Sequence, residues 1–414
     1  MSTLRTLLGL TRLAAARVGV AVRPVVGIIT PLGWIVAALA GAAGLTGVLL
    51  GWPEFLYLAL TLAAGLLVAF VFLIGRARFR VEVELRPRRV VAGERAFGRL
   101  LVTNTGSRRS SPSRLELPVG RGQAEFDIPA LPAHGEHEEL FAVPTQKRAV
   151  IVAGPALSVR GDALGLVRRT VKWADPVELF VHPVTVRLRP SAAGLVRDLE
   201  GEVTKTITNN DLAFHALRPY EPGDDRRYVH WRTTARTGRL MVRQFNETRR
   251  SQLVLLHSAD DAGYASETEF ELGVSVLASI AGQVLRDGTR IRIASGVGST
   301  NGGVAGGELR TASVITMLDD SARIEPLTSS GSTRDFARDA TRRMPPPSVL
   351  LVVVGSRVPI TDLRAVDALF AGDTRTIGLR MEAGAEPKVS IVSGLSIVTI
   401  GTLSDLPKLM RKLS

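Results

Sequence analysis

The chain has no cysteine, which excludes a disulfide framework and thiolate metal ligation and suits a reducing compartment. Lysine is scarce as well. Six lysines stand against 46 arginines, and with 39 acids the formal net charge is +13. That excess points toward nucleic acid or anionic lipid, but an arginine- and alanine-rich skew is also what a GC-rich coding sequence produces. No Gly-x-x-x-x-Gly-Lys-Ser/Thr loop and no Gly-x-Ser-x-Gly elbow occurs, so phosphate-loop and elbow-type hydrolase chemistry lack their usual marks. Charge itself is missing from residues 24–53 and 55–75, with Glu54 alone between them.

Each of these uncharged stretches exceeds the roughly 20 apolar residues that cross about 30 Å of hydrocarbon. They predict two transmembrane helices over 24–75, joined by a tight turn at Gly51-Trp52-Pro53-Glu54. Trp34, Trp52 and Tyr57 are interface aromatics in this reading. A basic leader, 1–23, carries Arg5, Arg12, Arg17 and Arg23, and Arg76, Arg78 and Arg80 follow the second span. The positive-inside bias then puts both termini in the cytoplasm of a bacterial inner-membrane protein. The leader's Leu4, Leu7 and Leu8 suit a segment lying on the inner leaflet. A cleaved signal peptide fits poorly, because the positive region is long and a second span follows.

The rest of the chain is long enough for further domains with their own cores. Over 80–190, short alternating runs such as "RVEVELRP", "RLLVTNTG", "AVIVAG", "ALSVRG" and "VELFVHP" are separated by turn residues. They predict a β-sandwich-like domain. "NTGSRRSSPS" reads as a polar loop, and "HGEHEE", with His134 and His137, as a solvated turn rather than a metal cluster.

Over 251–414 strand and helix patterns alternate. "QLVLLH" and "SVLLVVVG" are apolar enough for central parallel strands. Helical spacing covers 268–285, with Phe270, Val274, Leu277, Ile280 and Val284 on one face, and further helices are expected at 311–321, 332–343, 361–371 and 403–413. "RIRIAS", "TIGLRM" and "LSIVTIG" supply further strands, and the glycines of 296–307 a flexible loop. The alternation predicts a doubly wound, Rossmann-type α/β domain. One nucleophilic alternative sits in it: His257, Ser258 and Asp260 are neighbours in sequence, an arrangement that seldom converges as a triad.

The densest segment is 191–250, and within it "LRPYEPGDDRRYVHWRTTARTGRLMVRQF", residues 217–245, with seven arginines, two tyrosines and a tryptophan. Pro222-Gly223 makes a turn. Asp224 suits an N-cap for a helix over 225–237 that places Tyr228, Trp231 and Ala235 on one face and ends at Gly238. Glu221, Asp224 and Asp225 can pair with Arg218, Arg227 or Arg236. The segment therefore reads as a self-neutralising joint, with a partner-docking surface as a coexisting role and a nucleic-acid groove as the weaker alternative.

These residues resemble the signature of the domain of unknown function 58 family: Arg218, Tyr220, Pro222, Gly223, Asp224, Arg227, Val229, Trp231, Ala235 and Arg236. The family often carries proline where Arg226 stands. "GDALGLVRR" and "FVHP" resemble two upstream family elements. The resemblance implies a membrane-anchored chain whose α/β part is similar to a von Willebrand factor A domain. Such domains often bind a divalent cation after the first central strand. The corresponding positions here are His257, Ala259 and Asp261, with Gly355-Ser356 after the second, and this degenerate set implies no metal and no cofactor. The resemblance further implies work beside a MoxR-type AAA ATPase. The reading is thus a non-enzymatic membrane scaffold with no catalytic residues and no nucleic-acid partner. Its alternatives are the hydrolase at His257/Ser258/Asp260 and nucleic-acid or anionic-lipid binding through arginine.

Overall fold

The computed structural model describes residues 28–72, 78–162, 164–188, 212–247, 253–298, 304–328, 331–344, 347–370 and 374–413. The leader, 1–23, and the signature segment's flanks at 191–211 and 248–250 lie outside them. Two compact units form, one within residues 1–146 and 150–181, the other within 147–149 and 182–414.

The first unit begins with α1 (Pro31–Leu50) and α2 (Pro53–Phe72), both long and apolar enough to cross a membrane. Thr30 caps α1 by accepting the Gly33 N–H, with Pro31 at the first helical position, where its missing N–H costs nothing. Neither helix has an apolar stripe. Leu49, Leu60 and Leu67 are exposed on a surface that is hydrophobic all round, the pattern of a helix solvated by lipid. Gly44 and Gly47 face Ala59 and Leu56, small residues letting the two backbones approach.

The "GDALGL" element seats the start of α1. The Asp162 carboxylate accepts the Leu164 and Val167 N–H groups at 2.9 and 2.8 Å and folds the loop. Burial opposes ionisation of Asp162, but these N–H groups outweigh it and hold its carboxyl below the usual range. The loop then meets the helix entry: the Thr30 N–H donates to the Leu166 carbonyl at 3.0 Å, the Arg168 N–H to Ile28 at 2.7 Å, and the Thr30 hydroxyl to Gly165 at 2.6 Å. Leu166 and Val167 bury against Ile28, Val36, Leu66, Ala69 and Phe70. A Cβ on Gly33 would lie 2.2 Å from the Leu166 carbonyl oxygen. Gly33→Ala is therefore expected to lower the thermal midpoint of the detergent-solubilised chain through an overpacking cost of about 1–3 kcal/mol. Gly41→Ala, with nothing within 4 Å, is the control that should not move it.

Ten strands follow: β1 (Phe79–Arg86), β2 (Arg89–Val91), β3 (Ala96–Asn104), β4 (Ser113–Val119), β5 (Gly122–Ile128), β6 (Glu136–Val143), β7 (Ala149–Ala153), β8 (Leu157–Gly161), β9 (Arg168–Lys172) and β10 (Val177–His182). They form a three-stranded sheet, β1-β3-β6, and a larger one, β2-β10-β7-β4-β8-β9, with β5 paired to β4. Strict alternation in β1 and β3 turns Val81, Val83, Leu85, Leu100 and Val102 inward. Buried Asn104 ties the polar loop down by donating to the carbonyls of Arg108, Leu131 and Pro132. The "HGEHEE" stretch is not a loop throughout. From Glu136 it is strand β6, pinned along β3, and His137 pairs with Glu139 at 3.0 Å.

In the second unit β11 (Leu212–Pro219) and β12 (Met241–Glu247) form a two-stranded sheet, with α3 (Trp231–Thr237) between them. A seven-stranded sheet follows: β13 (Leu253–Ser258), β14 (Ile291–Gly298), β15 (Val304–Leu309), β16 (Val349–Gly355), β17 (Arg375–Met381), β18 (Lys388–Val392) and β19 (Leu395–Ile400). Their order is β15-β14-β13-β16-β17-β19-β18. β13, β14, β16, β17 and β19 are parallel, and β15 and β18 are antiparallel edges. The glycines expected in a loop at 296–307 lie largely on strands, Gly296 opposite Gly306, because β15 folds back on β14; residues 299–303 lie outside the described ones.

Six buried residues in a row on β13 require cover on both faces. Leu253 and Leu255 pack with α4 (Glu267–Arg286), α5 (Val314–Ser321) and α8 (Leu406–Leu413) on one side. Val254 and Leu256 pack with α6 (Thr333–Arg343) and α7 (Ile360–Asp367) on the other. The chain moves outward from β13 to β14 in one direction and to β16 in the other. The strand order thus reverses between β13 and β16, the place where open α/β sheets bind ligands beyond the carboxyl ends of their strands.

Candidate functional site

That crevice is built from the ends of β13 and β16 and the first turn of α4. Ser266 caps α4 by accepting the Glu269 N–H, and Glu269 reaches back to accept the Ala265 N–H at 2.9 Å. The same carboxylate accepts the Ser356 hydroxyl at 2.8 Å, the Ser356 N–H at 3.3 Å and the Ala383 N–H at 3.4 Å. Glu269 is 4% exposed. Burial works against its charge, yet the N–H and hydroxyl donors prevail and its carboxyl lies below the usual range. Arg380 adds a donor at the rim, to the Ser356 carbonyl. The N-terminal end of a helix at a switch point is ready to take an anion. Here the chain supplies its own. Gly355 is needed for the closure, since a Cβ there would lie 2.3 Å from the Gly263 carbonyl oxygen.

The cation positions implied by the resemblance do lie at the end of β13, but their side chains turn elsewhere. The His257 ring is fully buried, hydrogen-bonded to Ser295 Oγ at 2.9 Å and within 3.3 Å of the Tyr264 hydroxyl, with Phe270 edge-on at 5.5 Å. Burial depresses its pKa to about 3, so the ring is neutral near pH 7. Ala259 is buried and offers backbone only, bonded to Gly296 and Leu327. Asp261 opens a short 3-10 turn and is exposed. Among the described residues no group of three or more His, Asp or Glu is placed to hold a metal ion.

His257, Ser258 and Asp260 are not joined by hydrogen bonds. Successive strand residues point to opposite faces, and the histidine is spent on Ser295. Ser258 accepts the Tyr264 hydroxyl through its carbonyl at 2.6 Å. Asp260 keeps one buried, unbonded carboxylate oxygen, and burial raises its pKa. Glu269 escaped the sequence reading, although Ser-x-x-Glu ahead of an apolar helical run was its visible signal.

The signature segment departs from its expected helix. Asp225, not Asp224, caps a single 3-10 turn at Arg226–Tyr228. Val229 is then extended and bridges Val242, and α3 starts afresh at Trp231 with the His230 ring as cap. Val229 and Val242, buried opposite one another, explain the break: a continuous helix would pull Val229 off the strand. Asp224 instead binds Arg218 through both oxygens at 2.7 and 2.6 Å and accepts the Glu221 N–H. The Arg218 hydrogen bond holds the Asp224 carboxyl below its usual range. Asp225 pairs likewise with exposed Arg227. Tyr228 is half-buried, but Trp231 is 67% exposed and does not anchor a core. Arg236 is exposed and has no ion pair among the described residues. Among the described residues, the arginines and carboxylates of the segment pair only at Arg218–Asp224 and Arg227–Asp225. Asp224→Ala is expected to speed hydrogen exchange across β11 and β12, whereas Arg236→Ala should leave it unchanged.

A family model described as "Protein of unknown function DUF58" matches residues 216–382. "Uncharacterized protein YeaD" of Bacillus subtilis (strain 168) is 32% identical over 136 residues, 33% of each chain, so the matched region spans about a third of that relative's length. Solved structures give looser likenesses. The CARDB domain of the PF1109 protein from Pyrococcus furiosus has TM-score 0.20 at 12% identity, covering 25% of this chain and 93% of that one. An aerotolerance-related membrane protein from Bacteroides fragilis has TM-score 0.24 at 10% identity, covering 39% and 87%. Scores of this size carry no argument about fold. The sequence match carries more: residues 216–382 are similar to the DUF58 family model, and the matched region takes in the paired Arg218 and Asp224, the exposed Trp231 and Arg236, and both Glu269 and Ser356.

Proposed function

We propose that the chain is a membrane-anchored, non-enzymatic scaffold whose von Willebrand factor A-like α/β unit binds another protein. One observation carries this reading: the crevice where such a sheet takes its ligand is filled by the chain's own Glu269, held by Ser356, Ala265 and Ala383. A site satisfied from within serves rigidity better than turnover. The neutral, buried His257 and the dispersed Ser258 and Asp260 argue in the same direction against the hydrolase. Two uncharged helices and their arginine flanks support a multi-pass inner-membrane protein with both termini cytoplasmic. That placement gives a cytoplasmic ATPase access to the α/β unit, and the family resemblance makes a MoxR-type AAA ATPase the partner class.

The test is photo-crosslinking in intact membranes, with the reactive residue placed at Arg357 or at Ala383, both exposed beside the crevice. Capture of one ATPase at both positions, lost when the probe sits on exposed Asp127 of the β unit, is the expected result. Absence of a captured protein, together with covalent modification of Ser258 or Ser295 by a serine-reactive probe, would replace the scaffold with the hydrolase.

A further inference from the structure

The arm that carries the signature has more positive charge than it neutralises. Seven arginines and three acids lie within 217–243. Asp224 is taken by Arg218 and Asp225 by Arg227. Arg226, Arg232, Arg236, Arg239 and Arg243 are exposed and make no ion pair among the described residues. Arg232 and Arg236 are one turn apart on α3, with Arg239 just beyond it. Trp231 opens the same helix at 67% exposure, and Leu240 follows at 45%. Only Val229 and Val242 of this stretch are buried. An indole left in water costs free energy unless something covers it.

We infer that this arm is a docking surface for the anionic phospholipid headgroups of the membrane that holds α1 and α2. Guanidinium groups recognise phosphate oxygens bidentately, and tryptophan prefers the headgroup level, where its ring and its N–H are both satisfied. Anionic leaflets attract each added arginine by a factor of about five. Anchoring also favours this occupant, because a tethered arm meets its own bilayer at high effective concentration and a weak individual affinity suffices. A protein partner would have to bring both an acidic surface and a pocket for the indole. The five arginines without an ion pair among the described residues and Trp231 stand exposed on a short helix and a hairpin. The inference rests on α1 and α2 crossing the membrane, and it is independent of the partner proposed for the α/β unit.

The experiment uses the full chain in lipid nanodiscs. Because the chain has no cysteine, Ala235→Cys gives one labelling site, on exposed α3, for an environment-sensitive probe. In discs of phosphatidylcholine and phosphatidylglycerol in equal parts, the probe should be shielded from an aqueous quencher. In phosphatidylcholine alone, or at high salt, it should be open. Replacing Arg232, Arg236 and Arg239 by alanine should lower the docked-to-free ratio about a hundredfold, and Trp231→Ala should lower it independently. Hydrogen exchange in β11 and β12 checks that the triple variant keeps its fold; if it does not, the salt and Trp231→Ala arms decide. Equal quenching in both lipid compositions overturns the inference. So does shielding that appears only when an acidic protein or a nucleic acid is added.

Discussion

Glu269→Ala should destabilise the α/β unit by about 2–3 kcal/mol, the cost of leaving several part-buried donors without their acceptor rather than of trimming a surface acid. The carboxylate accepts N–H groups from three separate segments, at Ala265, Ser356 and Ala383, and the Ser356 hydroxyl besides. Removing it leaves part-buried donors without their acceptor, and each donor that water cannot reach costs about 1–3 kcal/mol. It also removes the acid from the positive end of α4. The effect should be local. Hydrogen exchange of the full chain should speed up in the first turn of α4 and the ends of β16 and β17, with β1 to β6 unchanged. Glu269→Gln keeps the volume and one acceptor oxygen and should fall between parent and alanine. Because the folded pKa is lowered, the contribution of Glu269 is present above the ordinary carboxylate range and is lost as pH falls through the folded value. If Glu269→Ala exchanges like the parent, the crevice is not held by this residue and the scaffold reading loses its support.

What could be read from residues, and what could not, follows from the range of the forces. The two apolar helices were legible because each contains an uncharged run of about twenty residues, long enough to cross a bilayer. The turn fell at Gly51 and Trp52, between Leu50 and Pro53, as the lone Glu54 suggested. The central strands at 253–258 and 349–355 and the helix at 267–286 were legible because burial on both faces, or on one stripe, writes a period into the sequence. The edges were not. β15 and β18 need only pair with β14 and β19, so "VAGGEL" and "KVSIV" carry little period of their own. The signature misled for another reason. Caps and turns are local, and Asp224 satisfies every local rule for an N-cap. What decides its role is Arg218 beside it and Val242 across the sheet from Val229, contacts that sequence spacing does not reveal. The crevice shows the same limit. Ser-x-x-Glu predicts a capping box, whereas the reach of Glu269 to Ser356 and Ala383, 87 and 114 residues away, exists only once the strands are ordered.

Acid should weaken the α/β unit before any carboxylate of ordinary pKa titrates, and His257 is the cause. Its ring is fully buried among Phe270, Tyr264 and Ser295, and burial lowers its pKa from 6.5 to about 3. An unfolded histidine takes up a proton near pH 6.5, whereas the folded one does not until about pH 3. Between these values the unfolded state binds the extra proton, so stability falls as pH falls, by about 1.4 kcal/mol per unit. The loss at pH 5 is about 2 kcal/mol, and it stops growing below about pH 3. Asp260 acts with the opposite sign. Its pKa is raised by burial, so the folded state is the one that gains a proton first and acid stabilises it. Glu269, Asp162 and Asp224, whose folded pKa values are lowered, contribute in full above the ordinary carboxylate range and lose that contribution only as pH falls through and below it. The window from pH 5 to pH 6.5 therefore separates His257 from the acids whose pKa is lowered, and Asp260, raised by burial, can only oppose the decline there. His257→Gln retains a polar group facing Ser295 but cannot titrate. It should be less stable than the parent at pH 7.5, since the amide does not fill the space against Phe270, yet its midpoint should stay level from pH 6.5 to pH 5 where the parent's declines. The measurement is the denaturant midpoint of the α/β peptides by pulsed hydrogen exchange across that window. Parallel declines in parent and variant would show that the buried ring is not the group that titrates.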